Sequence, residues 1–197
     1  MNTKLKTAPV KMPVTLEEVK NHLRIELDYT TDDEYIKTLI KTATQTAEQF
    51  LHRRLITQTW YCYLGCWPLS NRLSIPFGQL QSVTSIKYKD TDGDETTWTA
   101  SNYIVNVDSD PGQVVLAYDA VWPTETLYPS NPITIEYVCG YGTDESDVED
   151  NIRHAIKIII SNLYETRESE GLGCGPVSTF NLPTVNNLLT PFKVDWF

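Results

Sequence analysis

Gly171-Leu-Gly-Cys-Gly175 is rich enough in glycine to suggest a loop that cradles phosphate. That chemistry needs a strand before the loop and a lysine followed by serine or threonine after it. Here the glycines follow a helical pattern and have no such partner, so the stretch reads as a flexible loop. Asp90, Asp92 and Asp94 alternate as calcium ligands do, but Gly93 is misplaced for that loop, and Asp92-Gly93 suits a tight hairpin turn. Cys62 and Cys66 would face the same way along a strand. With no second tight pair beside them, they read as packed thiols rather than a zinc site. The chain shows no secretion signal and is large enough for a core, which argues against a disulfide framework. His22 and His154 fall within helical patterns and His52 at a helix end, none near a serine or cysteine in a nucleophile motif. The carboxylates gather at helix starts. No catalytic residue, metal ligand or cofactor is assigned, and catalysis is not expected.

Composition narrows the class. The 197 residues suit one large domain or two small ones, and 41% hydrophobic with 21% charged residues is ordinary for a globular protein. No apolar run is long enough to cross a bilayer, so a soluble protein made in a cytoplasm is expected, with no membrane partner. A net charge of −10 and a pI near 4.7 argue against a surface built to grip phosphates. They suit a surface that nucleic acid slides past.

The elements that position these residues follow from periodicity. After an arm at residues 1 to 12, read as a frayed terminus in preference to an arm that lies on a neighbouring subunit, Thr15 and Glu18 have the spacing of a capping box, with Val14 stapling onto Val19. Leu16, Val19, Leu23 and Leu27 stripe a short helix near 15–27. A second, long helix near 32–54 begins with a box at Thr31 and Glu34. Ile36, Leu39, Ile40, Ala43, Ala47, Phe50 and Leu51 form its apolar face. From Ile56 the period becomes that of strands: Gln58 to Leu64, Leu73 to Phe77, Val83 to Lys89, Thr96 to Thr99, Tyr103 to Val107, Gln113 to Tyr118 and Ile133 to Val138. Asp92-Gly93 and a type II turn at Pro111-Gly112 separate some of them. Helical period returns near 147–168, led by a box at Ser146 and Glu149, with Ile152, Ala155, Ile156, Ile159, Ile160, Leu163 and Tyr164 on one face. A last short helix is expected from Leu182 to Leu189. The fold class is thus α+β: a helical bundle with an inserted small antiparallel β-sandwich or open barrel near 56–142. The domain reading places residues 1–55 and 146–197 in a helical core with terminal arms, and 56–145 in an inserted β subdomain.

At this point a resemblance enters. Pro13-Val-Thr-Leu-Glu-Glu-Val-Lys-Asn-His-Leu-Arg24, followed by an acid-led helix, resembles the opening of the head–tail connector (adaptor) proteins of tailed bacteriophages. Leu55-Ile-Thr-Gln-Thr-Trp60 is similar to that family's helix–strand junction. Leu80-Gln-Ser-Val-Thr-Ser-Ile-Lys-Tyr88 and Ile135-Glu-Tyr-Val-Cys-Gly-Tyr-Gly142 resemble its β segment. Ile152-Arg-His-Ala-Ile-Lys157 and Leu163-Tyr-Glu-Thr-Arg-Glu168 resemble its third helix. The resemblance covers residues 13–168 in order. It implies a structural virion protein, assembled in the host cytoplasm, that forms a ring, usually twelve-fold, beneath the portal protein. Such a ring extends the DNA channel and offers a surface to the next neck, stopper or tail protein. DNA would pass through the lumen without sequence-specific binding. A ring closed by rotation needs two different patches per subunit.

The aromatic tail (Phe192, Val194, Trp196, Phe197) either folds back on the core or docks on another protein, and the Asp119–Pro132 loop with Trp122 and Tyr128 is either a packed cover over a sheet edge or a contact loop; these are the candidate contacts with partners. Two rival readings stand beside the connector. One is a peptide- or sugar-binding module with a groove lined by Trp60, Trp98 and Trp122. The other is a hydrolase with paired carboxylates in a deep pocket.

Overall fold

A computed structural model describes residues 1–166 and 183–194. The described chain is a mixed α and β fold that divides into two compact units. Met1–Pro9 and Thr57–Tyr141 form a β unit, which Val194 joins. Val10–Ile56 and the described part of Gly142–Lys193 form a helical unit.

In the helical unit, four α-helices are described: α1 (Leu16–Leu23), α2 (Asp33–Leu51), α3 (Asp150–Glu165) and α4 (Pro183–Leu189). The first capping box forms as read: Thr15 Oγ1 accepts from the Glu18 N–H at 3.1 Å, and Glu18 Oε2 accepts from the Thr15 N–H at 3.0 Å. Val14 and Val19 on either side of it are buried. The second and third boxes do not form. Asp32, not Thr31, caps α2, and Glu34 turns instead to Lys37 at 2.7 Å. Ahead of α3, a 3-10 turn at Glu145–Asp147 takes over, where the Asp144 N–H donates to Asp147 Oδ2 at 2.9 Å.

Helix α1 stops at Leu23, before the end of its apolar stripe at Leu27, whereas α2 ends on Leu51, the last residue of its stripe. Arg24 and His52 adopt left-handed conformations (φ 60° and 54°) whose N–H groups close α1 and α2. Ile36, Ile40, Ala43, Ala47 and Leu51 of α2 and Ile152, Ala155, Ile156 and Ile160 of α3 are all at most 4% exposed. Burying one such isoleucine or leucine contributes roughly 1.5–3 kcal/mol before entropy. Within this unit α2 packs on α3, α1 on both, and α4 chiefly on α3. No described helix is long and apolar enough to cross a membrane.

The β unit holds two antiparallel sheets. Five strands lie in the order β1-β2-β8-β4-β5: β1 is Asn2–Thr7, β2 Gln58–Leu64, β4 Leu80–Lys89, β5 Glu95–Thr97 and β8 Ile133–Cys139. Three more lie in the order β3-β7-β6: β3 is Arg72–Ser74, β6 Tyr103–Asn106 and β7 Gln113–Leu116. Neither sheet closes into a barrel. The arm read as frayed is a strand: β1 pairs with β2 from Asn2↔Tyr63 to Thr7↔Thr59. It lacks the period of a half-buried strand because all six residues are exposed, so the backbone pairing, with the Lys6–Glu136 ion pair, holds it.

Strict alternation in β8 and along the last residues of β4 sends Ile133, Ile135, Tyr137, Cys139, Ile86 and Tyr88 inward, where Leu73 and Val114 of the second sheet share their core. The Pro111-Gly112 turn is not type II, since Gly112 lacks the positive φ that turn requires. Glycine is required there for space: a Cβ would lie 2.3 Å from the Leu80 Cβ.

Candidate functional site

The candidate contact residues belong to both units. In the β unit, the Asp119–Pro132 loop is zipped to the end of β4 by an Asp90↔Leu127 bridge, and the Tyr128 N–H donates to the Lys89 carbonyl at 3.1 Å. Trp122 is half-buried. Its ring stacks on Trp67 at 5.1 Å and 15° and meets Trp98 at 5.1 Å, while its Nε1–H donates to the Ser70 carbonyl at 2.8 Å. Trp60 instead meets Phe77 at 4.7 Å. Trp122 and Trp98 therefore join around Trp67, and Trp60 takes a different partner, which is packing rather than a groove lined by three indoles. Tyr128 is 41% exposed and lies over Gly93 at the hairpin tip. The loops around Trp122 leave three large apolar side chains in solvent: Leu69, Tyr118 and Val121. Residue type alone did not single these out, because only the pinned loops decide which apolar side chains stay outside.

In the helical unit, α4 buries Val185 and Leu189, and the chain continues through a 3-10 turn at Thr190–Phe192. Phe192 is half-buried, and its carbonyl accepts from the buried Arg53 side chain. Lys193 Nζ lies 5.7 Å from the centre of the Phe50 ring. Val194, which belongs to the β unit, is 3% exposed. Trp196, Phe197 and Gly171 to Gly175 lie outside the described residues.

A cleft of about 460 Å³ opens in the helical unit between Met12, Val14, Thr15, Leu16 and Ile40, rimmed by Lys11, Lys37, Lys41, Glu34 and Glu145. Its chemistry is that of ion pairs. Hydrogen bonding to Asp144 raises the Lys11 ammonium above its usual value, and Glu34 does the same for Lys37. Lys11 in turn holds the Asp144 carboxyl below its ordinary range.

Other charges hold helices together. Lys20 is buried, 2.6 Å from Asp33. Glu48 accepts from the Leu55 N–H at 2.9 Å and from Arg54 at 3.0 Å. Arg153 joins Glu18 on α1 and donates to the Pro13 carbonyl at 3.2 Å. Burial by itself would raise the Glu18 carboxyl, but the Thr15 N–H and Arg153 outweigh it and hold the group low. His22 meets His154 edge-on at 6.1 Å, and burial, then Lys157 and His154, hold its imidazole below the usual value. Burial pushes the Cys62 thiol up to about 12, which makes it inert packing. Among the described residues no group of histidines, cysteines and carboxylates is arranged to hold a metal ion.

The outer face of the five-stranded sheet is the other polar feature. Tyr61 and Tyr63 of β2, Thr134 and Glu136 of β8, and Ser85, Lys87 and Lys89 of β4 line a shallow hollow of about 270 Å³. Lys6 bonds Glu136 at 2.6 Å and Lys87 bonds Glu95 at 2.8 Å, so the strands are laced by alternating charge.

The profile of a family described as phage gp6-like head-tail connector protein matches residues 13–114. Comparison with curated proteins gives no match. Solved structures share the fold over the whole chain. A chain from the neck of an empty GTA particle computed with C6 symmetry is 20% identical, with a TM-score of 0.80, covering 100% of this chain and 97% of that one. A chain from the neck of a native GTA particle computed with C12 symmetry is 19% identical, with a TM-score of 0.77 and the same coverage. A chain from the virion of a native gene transfer agent (GTA) particle is 20% identical, with a TM-score of 0.78.

Proposed function

Because the chain belongs to the phage gp6-like head-tail connector family, we propose that copies of it close into a ring in the neck of a virion. The ring sits beneath the portal protein, extends the DNA channel and passes the connection to the next neck, stopper or tail protein. Its role is structural rather than catalytic. The observation that carries this reading is the family match over residues 13–114, which spans α1, α2 and most of the strands. The likeness to chains from necks computed with six- and twelve-fold symmetry supports a ring, which we take as twelve-fold. The helical unit is the connector core, a bundle, and the β unit is a sandwich formed by a segment inserted into it together with the N-terminal strand β1.

Two physical features agree with this assignment. A net charge of −10 per copy, repeated around a ring, makes a lumen on which DNA does not stick. Exposed apolar residues on pinned loops, Leu69, Tyr118 and Val121, are the kind of surface a partner covers. Tyr128, Phe192, Trp196 and Phe197 are further contacts with the portal or a neighbour, while the buried Val194 and the stacked Trp122 hold their segments in place for them. Assembly takes place in the host cytoplasm before the particle is complete.

Light scattering and electron microscopy of the protein, alone and mixed with portal particles, test the reading. A ring, or a monomer that becomes a ring on the portal, supports it. A monomer that ignores portals overturns it.

A further inference from the structure

Among the described residues, the order β1-β2-β8-β4-β5 leaves two strands that each pair on one side only. All six residues of β1 and all three of β5 are exposed. A strand with a free, exposed edge is a template for pairing with another chain. The two edges carry opposite charge. β1 has Lys4 and Lys6 and no acid, whereas the β4–β5 hairpin carries Asp90, Asp92, Asp94 and Glu95.

Part of that charge is satisfied inside the unit. Lys6 bonds Glu136, Glu95 bonds Lys87, and Asp90 Oδ1 accepts the N–H groups of Asp92 and Asp94 at 3.0 Å to shape the turn. Lys4 and the Asp92 and Asp94 carboxylates have no ion-pair partner among the described residues. Pairing registers place Lys4 on the same sheet face as Tyr61, Glu136, Lys87 and Thr97, so β1 and β5 present matching faces at opposite ends.

Two β1 edges brought together would set lysine against lysine, and two hairpin edges would set acid against acid. Only β1 against β5 brings opposite charges into contact. Such a contact joins unlike patches, the heterologous type that a closed ring requires. We infer that the free edge of β1 in one copy docks on the free edge of β5 in the next, so that the five-stranded sheets join edge to edge around the assembly. The inference rests on the connector reading for the existence of a ring; the occupant of the β1 edge is a second copy of this chain.

The test uses the full chain carrying Cys66→Ser and Cys174→Ser, with Asn2→Cys on β1 and Thr97→Cys on β5. Oxidation of assembled protein gives a ladder of cross-linked multimers when both cysteines are present in each chain, and none with either alone. In parallel, Lys4→Glu and Asp94→Lys, which leave the internal ion pairs intact, each raise the concentration needed for half-assembly by roughly tenfold. The double variant restores it. Circular dichroism of each variant confirms folding, and the rescue excludes misfolding as the cause.

Rings seen by microscopy with no ladder, and with assembly indifferent to both charge reversals, overturn the edge pairing and leave the connector standing. A cross-linked dimer from Asn2→Cys alone overturns it in favour of a symmetric contact. Wild-type protein that forms no ring, alone or on portals, takes both readings down.

Discussion

Replacing Lys20 by methionine keeps the length and apolar stem of the side chain and deletes its charge. Lys20 is 3% exposed. Its ammonium donates to the Leu27 carbonyl at 3.1 Å and the Tyr29 carbonyl at 2.8 Å, and lies 2.6 Å from Asp33 Oδ1. One cation on α1 thus gathers the linker and the first residue of α2. A hydrogen bond to a charged group contributes about 1.5–3 kcal/mol net. Breaking a buried ion pair from one side costs about 3–5 kcal/mol. The Asp33 side chain keeps 21% of its exposure, so water reaches it and the cost falls at the low end. Lys20→Met should therefore lose about 3 kcal/mol, a fall in melting temperature of roughly 6–12 °C for a chain this size. Urea unfolding followed by far-ultraviolet circular dichroism reads the loss. A double-mutant cycle with Asp33→Asn should show at least about 1 kcal/mol of coupling. A Lys20→Met variant within about 0.5 kcal/mol of wild type, or a cycle without coupling, would refute the view that this cation organises the α1–α2 corner.

Other perturbations test the remaining parts. Gly112→Ala drives a Cβ to within 2.3 Å of the Leu80 Cβ, so a loss of about 1–3 kcal/mol is expected in chemical denaturation. Trp122→Ala removes two ring contacts and the bond to Ser70 and should lose about 2 kcal/mol, while Tyr118→Ala, at a side chain 94% exposed, should leave melting unchanged. Glu48→Ala strands the buried Leu55 N–H and should cost about 2 kcal/mol by thermal melting. The pH dependence has a set sign. His22 and Glu18 are both held below their ordinary values of 6.5 and 4.5. Each contributes stability that is full above its ordinary value and is lost as pH falls through the lowered one. Melting temperature should thus decline in two stages on acidification, with His22→Gln flattening the first and Glu18→Gln the second.

Much of the fold was legible wherever one face is buried and the other wet. The strands at Gln58–Leu64 and Ile133–Cys139 and the hairpin at Asp92-Gly93 stand where the period and the turn residues place them. The apolar faces of α2 and α3 are buried as their spacing requires. What escaped notice has no such asymmetry. β1 is exposed on both faces, and its strand exists through backbone pairing with β2, a partner more than fifty positions away. The capping motifs show the same limit. Thr15 and Glu18 close their box because Glu18 gives one oxygen to the Thr15 N–H and the other to Arg153, whereas Glu34 prefers Lys37 and the Asp144–Asp147 turn takes the place expected for Ser146 and Glu149.

The contact surfaces divide in the same way. Aromatic content marked Trp122 and Tyr128 as notable, but could not distinguish a ring stacked on Trp67 from one 41% exposed. Lys20 and Lys4 are indistinguishable as residue types; one is buried among carbonyls and a carboxylate, and the other stands on a free sheet edge. The sequence by itself determined the periods, the strand and helix content, the acidic balance and the ordered series of segments that marks the family. Those properties are local or additive along the chain, so they survive without coordinates. Which strands end the sheets, which cation is buried and which apolar side chains face water were decided only by the tertiary structure. They depend on contacts between residues distant in sequence, and the cost or gain of a charge or a ring is set by what surrounds it.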